Sequence, residues 1–183
     1  MGQLKAVLLD LNGTLVNPVV VEQLTDLRPI EGAADAVARL CRRGYTCPVV
    51  TVQSRVEKGL FTEGEFRAWF ERFAQSFAEA GAVLKGPYVC PHRFSAGCSC
   101  AKPQTLLYER AASDLGLDLS RSFVVGDTAA DMEAAHRCRS RGCLVLTGHT
   151  GGNAEVGQAG QLASYIGRSL VEVVDWILRQ EAA

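Results

Sequence analysis

Short apolar runs alternate with helix-type segments along most of this chain. The runs are too short for helices and are bounded by glycine or polar residues, so we interpret them as buried strands. Strands that alternate with helices predict βαβ units, and therefore a Rossmann-like, mostly parallel α/β sheet with helices on both faces. The predicted strands are residues 4–9, 47–51, 86–89, 122–125 and 143–146, with an edge strand at 163–166. The predicted helices are residues 33–43, 63–80, 103–115, 128–141 and 170–179.

Size and charge narrow the range of partners. The chain has 183 residues, enough for one domain with a sizeable core, and we expect a single domain over residues 1–183. Its formal net charge is −1, so no global basic field would attract nucleic acid or an anionic membrane. No apolar stretch approaches the ~20 residues that a bilayer requires, and the first apolar run ends at Asp10, unlike a signal peptide. We therefore expect a cytoplasmic protein and a monomer.

Polar residues stand at or near the ends of three predicted strands. Asp10, Thr51 and Asp127 each follow a buried apolar run. In a parallel sheet the carboxyl ends of the strands lie at one edge, where ligands bind. We therefore expect these three side chains to converge on one site.

The residues at this edge suit phosphoryl transfer. A carboxylate such as Asp10, at a strand end before a glycine turn, can attack phosphorus and form an aspartyl-phosphate. Mg²⁺ would offset the negative charges, with Asp127 and Asp131 as a second acidic wall. Lys102 can balance the phosphate charge and the Thr51 hydroxyl can bind a phosphate oxygen. Considered alone, Asp10 could equally be a turn residue and Asp127 a helix cap. The four residues considered together indicate a site.

A cysteine cluster occupies residues 90–100. Cys90, His92, Cys98 and Cys100 form a Cys₃His set within eleven residues, enough for a closed tetrahedral zinc shell. A closed shell has no open position for substrate, so we expect this zinc to be structural and to staple the loop; the alternative is a chance cluster of buried thiols. We interpret the remaining cysteines as small buried apolar residues: Cys41, Cys47, Cys138 and Cys143.

The order of these motifs resembles the haloacid dehalogenase (HAD) superfamily. The motifs are D-L-N-G-T at residues 10–14, the strand-end threonine, K-P at 102–103 and V-G-D-x-x-x-D at 125–131. Within that superfamily, C-P-H at 90–92 and C-S-C at 98–100 resemble the zinc-containing branch of histidinol-phosphate and heptose-bisphosphate phosphatases. The resemblance spans residues 8–148 and implies a HAD-type fold without a large cap domain.

The resemblance also implies roles for individual residues. Asp10 would be the nucleophile and a Mg²⁺ ligand, with Asp127 completing the metal site. The residue at position 12 would be the general acid/base, and its backbone carbonyl would bind the metal. The residues with catalytic roles would be Asp10, Asn12, Thr51 and Lys102. The residues that bind substrate would be Thr51, Gln53, Ser54 and Lys102.

The chain departs from the branch at two informative positions. Asn12 replaces the usual aspartate, and an amide cannot cycle a proton at neutral pH. Ala101 replaces an arginine that would contact an anion. The resemblance implies a Mg²⁺-dependent phosphomonoesterase for a small phosphorylated metabolite, most like a heptose 1,7-bisphosphate 7-phosphatase, with activity reduced by Asn12. The alternatives are a histidinol-phosphate phosphatase and a zinc-stapled pseudophosphatase that binds phosphate.

Overall fold

The computed structural model describes residues 4–93, 96–148 and 153–180. The strands within these ranges are β1 (Val7–Leu9), β2 (Val16–Asn17), β3 (Arg28–Pro29), β4 (Cys47–Val52), β5 (Leu84–Cys90), β6 (Phe123–Gly126), β7 (Arg141–Val145) and β8 (Tyr165–Gly167). The helices are α1 (Ala33–Arg42), α2 (Glu63–Glu79), α3 (Leu106–Leu115), α4 (Ala129–Arg137), α5 (Asn153–Leu162) and α6 (Leu170–Arg179).

Six of these strands form one parallel sheet in the order β5–β4–β1–β6–β7–β8. Leu9 of β1 is in register with Val49 of β4 on one side and with Val125 of β6 on the other. The strands that carry the predicted site residues are therefore direct neighbours at the centre of the sheet. The predicted parallel α/β sheet is confirmed.

Helices cover both faces of the sheet, as predicted. Val7 and Leu9 point into the core that β1 shares with α1, α2 and α6, whereas Leu8 points into the core shared with α3 and α4. Helix α5 packs on α4 and β7, on this second face. Successive residues of this strand thus pack into different cores. Because both faces of the strand are buried, its sequence is a continuous apolar run.

Two helices are shorter than the sequence pattern predicts by more than one residue. Helix α3 begins at Leu106 rather than at Pro103, because residues 101–104 form a turn in which the Gln104 N–H donates to the Ala101 carbonyl at 2.9 Å. Helix α4 ends at Arg137 because Arg139 adopts a left-handed backbone with φ of 59°. The chain then starts strand β7 at Arg141, where the prediction had continued the helix.

The sequence pattern also missed two small elements. Strands β2 and β3 pair as an antiparallel ribbon outside the main sheet, and helix α5 follows β7. This ribbon is what occupies the segment between β1 and α1, and the described part of the chain contains no cap domain. Among the helices of the described ranges, none combines the length and hydropathy needed to cross a bilayer.

The four cysteines outside residues 90–100 differ in burial. Cys47 and Cys143 are buried strand residues, as predicted. Cys41 and Cys138 are only partly buried, because each lies toward the end of its helix rather than within the packed face.

Candidate active site

Three neighbouring strands and one loop deliver polar side chains to a single cavity of about 270 Å³. Asp10 follows β1, Thr51 lies near the end of β4, and Asp127 follows β6. Lys102 reaches the same cavity from the turn before α3. The structure therefore brings together the four residues that the sequence assigned to one edge of the sheet.

Lys102 is buried between two carboxylates. Its Nζ donates to Asp10 Oδ1 at 2.5 Å and to Asp131 Oδ1 at 2.6 Å. Burial alone would lower the pKa of Lys102, but the two carboxylates raise it well above its ordinary value, so the side chain is an ammonium. This contact occupies Oδ1 of Asp10, a residue that lines the cavity, and leaves Oδ2 without a bond to Lys102.

The position of Asp131 is set by the start of α4. Thr128 is the N-cap of this helix, and its hydroxyl accepts from the Asp131 N–H at 3.2 Å. In return Asp131 Oδ2 accepts from the Thr128 N–H and hydroxyl. One carboxylate oxygen thus serves the helix cap and the other holds Lys102. Sequence reasoning gave Asp131 no such task, although the T-x-x-D spacing at 128–131 is the signature of a capping box.

The charges in this cavity favour a divalent cation. One oxygen from each of Asp10, Asp127 and Asp131 lies within 4.8 Å of the others. With all three carboxylates ionised against one ammonium, Lys102, the cluster would carry a formal charge of −2, and without a cation this favours the protonated form of Asp10. Burial raises the pKa of Asp10 to about 8; Lys102 opposes this rise, and Asp131 and Asp127 add to it. Crowded oxygen donors with excess negative charge are the donor set that Mg²⁺ prefers, so these residues fit the metal.

Glycines let the backbone close around the acidic side chains. A Cβ at Gly148 would lie 1.8 Å from Asp127 Oδ2, and one at Gly13 would lie 2.4 Å from the same atom. Gly13 also has a φ of +86°, which other residues rarely adopt. Position 13 therefore requires glycine for two reasons: the turn needs a positive φ, and a Cβ would collide with the Asp127 carboxylate.

A buried amide links Asn12 with Thr51. Gln53 Nε2 donates to Asn12 Oδ1 at 2.8 Å and to Thr51 Oγ1 at 2.9 Å. Gln53 is itself 1% exposed and does not line the cavity, whereas Ser54 does. Gln53 therefore lies behind two residues that do face the cavity, and its predicted contact with substrate stays a prediction. Asn12 Nδ2 is buried and has no hydrogen-bond partner among the described residues.

The rim of the cavity contains further residues. Val19 and Val20 form an apolar wall, and Arg55 fixes it: its guanidinium donates to the Val19 and Val21 carbonyls at 2.9 and 2.8 Å. Lys58 completes the rim. Backbone carbonyls are present at every residue, so the sequence offered no signal for the bonds that Arg55 makes.

The four predicted zinc ligands form one cluster beside this cavity. The Sγ atoms of Cys90, Cys98 and Cys100 lie 3.0–3.6 Å apart, too far for a disulfide bond of ~2.05 Å. His92 Nδ1 lies 3.7 Å from Cys90 Sγ and 3.2 Å from Cys100 Sγ. Tetrahedral zinc with Zn–S bonds of ~2.3 Å separates its ligand atoms by roughly 3.5–3.8 Å. The distances from Cys98 to the other two thiols and from Cys90 to His92 match this spacing, whereas Cys100 lies closer to Cys90 and His92 and would move outward slightly around the metal. The Ala101 N–H donates to Cys98 Sγ at 3.4 Å, as expected of a thiolate acceptor.

Comparisons with known proteins agree with this architecture. A profile of the HAD-hydrolase-like family matches residues 99–173. The D-glycero-beta-D-manno-heptose-1,7-bisphosphate 7-phosphatase of Haemophilus ducreyi is 34% identical over 186 residues, covering 97% of this chain and 100% of that protein. The enzyme of the same name from Escherichia coli O6:H1 is 32% identical, covering 96% of this chain and 95% of that protein.

Solved structures give the same result. The crystal structure of the D,D-heptose 1,7-bisphosphate phosphatase from B. bronchiseptica, complexed with magnesium and phosphate, has a TM-score of 0.85 and 27% identity. It covers 96% of this chain, and this chain covers 99% of it. The resemblance inferred from the motifs is confirmed. The chain is a HAD-type phosphatase, and it belongs to the haloacid dehalogenase superfamily, in the family of these heptose-bisphosphate phosphatases.

Proposed function

We propose that this chain is a Mg²⁺-dependent phosphomonoesterase that removes the 7-phosphate of a heptose 1,7-bisphosphate through an aspartyl-phosphate. The observation that carries the proposal is the contact of Lys102 with Asp10, in one cavity with Thr51 and Asp127. A buried ammonium against the attacking carboxylate, beside a hydroxyl donor, is the arrangement that a phosphoryl group needs to approach a negatively charged nucleophile.

Asp10 is the proposed nucleophile. Lys102 holds Oδ1, so Oδ2 attacks phosphorus; a P–O bond to the carboxylate forms and the bond to the sugar oxygen breaks. The leaving oxygen then takes a proton from solvent water, and a second water hydrolyses the aspartyl-phosphate, which frees phosphate and restores Asp10. An aspartate at position 12 would donate that proton and then activate the water; the Asn12 amide can do neither.

Three donors are proposed to hold the transferring phosphoryl group. Thr51 Oγ1 accepts a hydrogen bond from Gln53, so its own proton is available to an oxyanion. Lys102 supplies positive charge, and the unpartnered Asn12 Nδ2 supplies an N–H donor. Ser54 lies further along the cavity wall and is proposed to contact the sugar. Gln53 positions Asn12 and Thr51 rather than touching substrate.

Two metals are proposed from the side chains that fit them. Asp10, Asp127 and the backbone carbonyl of Asn12 would hold Mg²⁺, which when bound supplies charge neutralisation for the attack. A structural zinc would be held by the three cysteines and the histidine of the cluster, with Nδ1 as the histidine ligand atom. This second site would stabilise the loop that leads directly into Lys102.

The test is a substrate panel with a metal dependence. Heptose 1,7-bisphosphate, histidinol phosphate and a generic phosphate ester are incubated with and without Mg²⁺, and phosphate release is measured. We expect turnover only with Mg²⁺, fastest on the heptose, and none in Asp10→Asn. Preference for histidinol phosphate would contradict the substrate, and unchanged turnover in Asp10→Asn would contradict the nucleophile.

A second candidate function is supported by Asn12 and by Ala101. Without a proton shuttle the chain could bind phosphorylated metabolites with no useful turnover. Saturable binding of the heptose without turnover, on fresh protein with Mg²⁺, would establish this function. The monomeric state, the cytoplasmic location and the lack of nucleic-acid partners stay predictions.

A further inference from the structure

A basic cavity lies at the edge of the sheet opposite the candidate active site. Its volume is about 600 Å³, within the range of small-molecule sites. The residues around it stand before or at the start of β1, β4, β6 and β7, whereas the phosphatase residues stand at the other ends of the strands. The lining consists of four cations, a tyrosine and a serine: Lys5, Arg43, Arg121, Arg141, Tyr45 and Ser120.

No carboxylate contributes to the described lining of this cavity. Asp118 interacts electrostatically with Arg121, and it also accepts from the Ser120 N–H at 2.9 Å and from the Ser120 hydroxyl at 2.6 Å. The chain as a whole has 19 Lys and Arg residues against 20 Asp and Glu. Four cations in one concavity are therefore a local concentration of charge that the overall composition does not produce.

Two of the cations rest on aromatic rings. Lys5 Nζ lies 4.5 Å from the centroid of the Tyr45 ring, and Arg141 Cζ lies 4.0 Å from that of Phe123. Arg141 also lies 6.0 Å above the Trp176 ring. A guanidinium stacked on a ring keeps its in-plane N–H donors free for a planar or tetrahedral anion. Ring contacts thus position these two cations before any ligand arrives.

Charge compensation of the fold explains only part of this cluster. Helix α1 ends at Arg42, and the negative end of its dipole accounts for the neighbouring Arg43. Arg141 begins strand β7 and receives no such stabilisation. Like charges held together raise the free energy of the folded chain, and a bound anion would relieve that cost.

We propose that this cavity is a second anion site that binds a small oligophosphate. The ligand class follows from the donors, since arginine forks and a lysine ammonium bind phosphate oxygens with both charge and geometry. The volume of about 600 Å³ is also sufficient to accommodate a small polyanion. The site is separate from the phosphatase cavity and shares no lining residue with it.

The test uses inorganic pyrophosphate and tryptophan fluorescence. The chain has two tryptophans, so Trp69→Phe leaves Trp176, beneath the cavity, as the reporter. Pyrophosphate is titrated without Mg²⁺ into this background and into the same background with Arg121→Gln, Arg43→Gln or, as matched control, Arg72→Gln. Arg72 is an exposed arginine on α2, so this control substitution removes the same charge at a site outside the cavity lining.

We expect a saturable change in Trp176 emission. Arg121→Gln and Arg43→Gln should each weaken pyrophosphate binding about three- to tenfold, the usual effect of losing one charge-assisted contact, and Arg72→Gln less than about twofold. Phosphatase turnover should be unchanged in all three. Circular dichroism establishes that each variant is folded. Because two cavity variants are made independently, the test still works if one of them misfolds.

Three results would overturn the proposal. The first is an emission change that does not saturate. The second is equal weakening by Arg72→Gln and the cavity variants, which would show only general electrostatic attraction. The third is a signal that survives in the cavity variants but disappears in Lys102→Ala, which would place the anion in the phosphatase site alone.

Discussion

Restoring a carboxylate at position 12 is the sharpest test of the proposed mechanism. In the present chain Asn12 Oδ1 accepts from Gln53 at 2.8 Å, and Nδ2 is buried at the cavity without a partner. Asn12→Asp is isosteric: one oxygen keeps the bond to Gln53, and the other replaces Nδ2 where the leaving oxygen would sit. The variant therefore gains a proton donor and acceptor with little change in packing.

The size of the effect follows from what the proton transfer contributes. A positioned general acid–base group is worth ~10²–10⁴-fold in rate, or roughly 3–5 kcal/mol of barrier. We expect kcat on heptose 1,7-bisphosphate with Mg²⁺ to rise by about that factor in Asn12→Asp. KM should change much less, because the lost interaction belongs mainly to the transition state.

The assay is steady-state phosphate release from freshly purified protein. Asn12→Ala is the matched control, since it also removes the amide but supplies no carboxylate, and its turnover should not exceed that of the original chain. Asn-Gly sequences deamidate, so intact-mass analysis must show that no aspartate has formed at this position beforehand. Unchanged kcat in Asn12→Asp would refute the assignment of position 12 as the missing proton shuttle.

Three further substitutions test the rest of the site. Lys102→Ala should weaken phosphate binding, measured by calorimetry, far more than Lys85→Ala, because Lys102 is buried against the nucleophile and Lys85 is exposed on β5; equal effects would contradict the phosphate pocket. Cys98→Ser should release zinc, measured by elemental analysis, and lower Tm, whereas Cys138→Ser should do neither, since only Cys98 belongs to the cluster; retained stoichiometric zinc would contradict the ligand set. Gly148→Ala should lower Mg²⁺-dependent turnover at least about tenfold, because its Cβ would displace a metal-site carboxylate 1.8 Å away; wild-type turnover would show that this carboxylate is not needed in place.

The parts of this structure that the sequence predicted share a physical basis. Buried strands such as β1 and β6 are continuous apolar runs because both faces of a parallel sheet are covered, and a polar residue after each run marks the strand end. The cysteine spacing similarly predicts a cluster, since four donors within eleven residues have few ways to be separated. Local patterns of this kind need no knowledge of the tertiary fold.

The parts that the sequence did not predict depend on contacts between distant segments. The bond of Lys102 to Asp131 joins residues 29 positions apart and requires both the turn at 101–104 and the cap of α4. Strands β2 and β3 have two residues each, too few to show a period. Helix α5 includes Gly157 and Gly160, which disfavour helices, and its packing on α4 outweighs that propensity.

The neutral residue at position 12 also has a consequence for stability. The cavity already holds three carboxylates against Lys102, and burial with this crowding raises the pKa of Asp10 to about 8. A fourth carboxylate in Asn12→Asp would add like-charge repulsion in a poorly solvated site, so without Mg²⁺ this variant should melt a few degrees, on the order of 1 kcal/mol, below the original chain. Saturating Mg²⁺ should narrow the difference, because a divalent cation neutralises the added charge and binds only the folded state. Equal melting temperatures in the absence of Mg²⁺ would show that position 12 does not share the field of the acidic cluster, and would weaken its proposed place beside the metal.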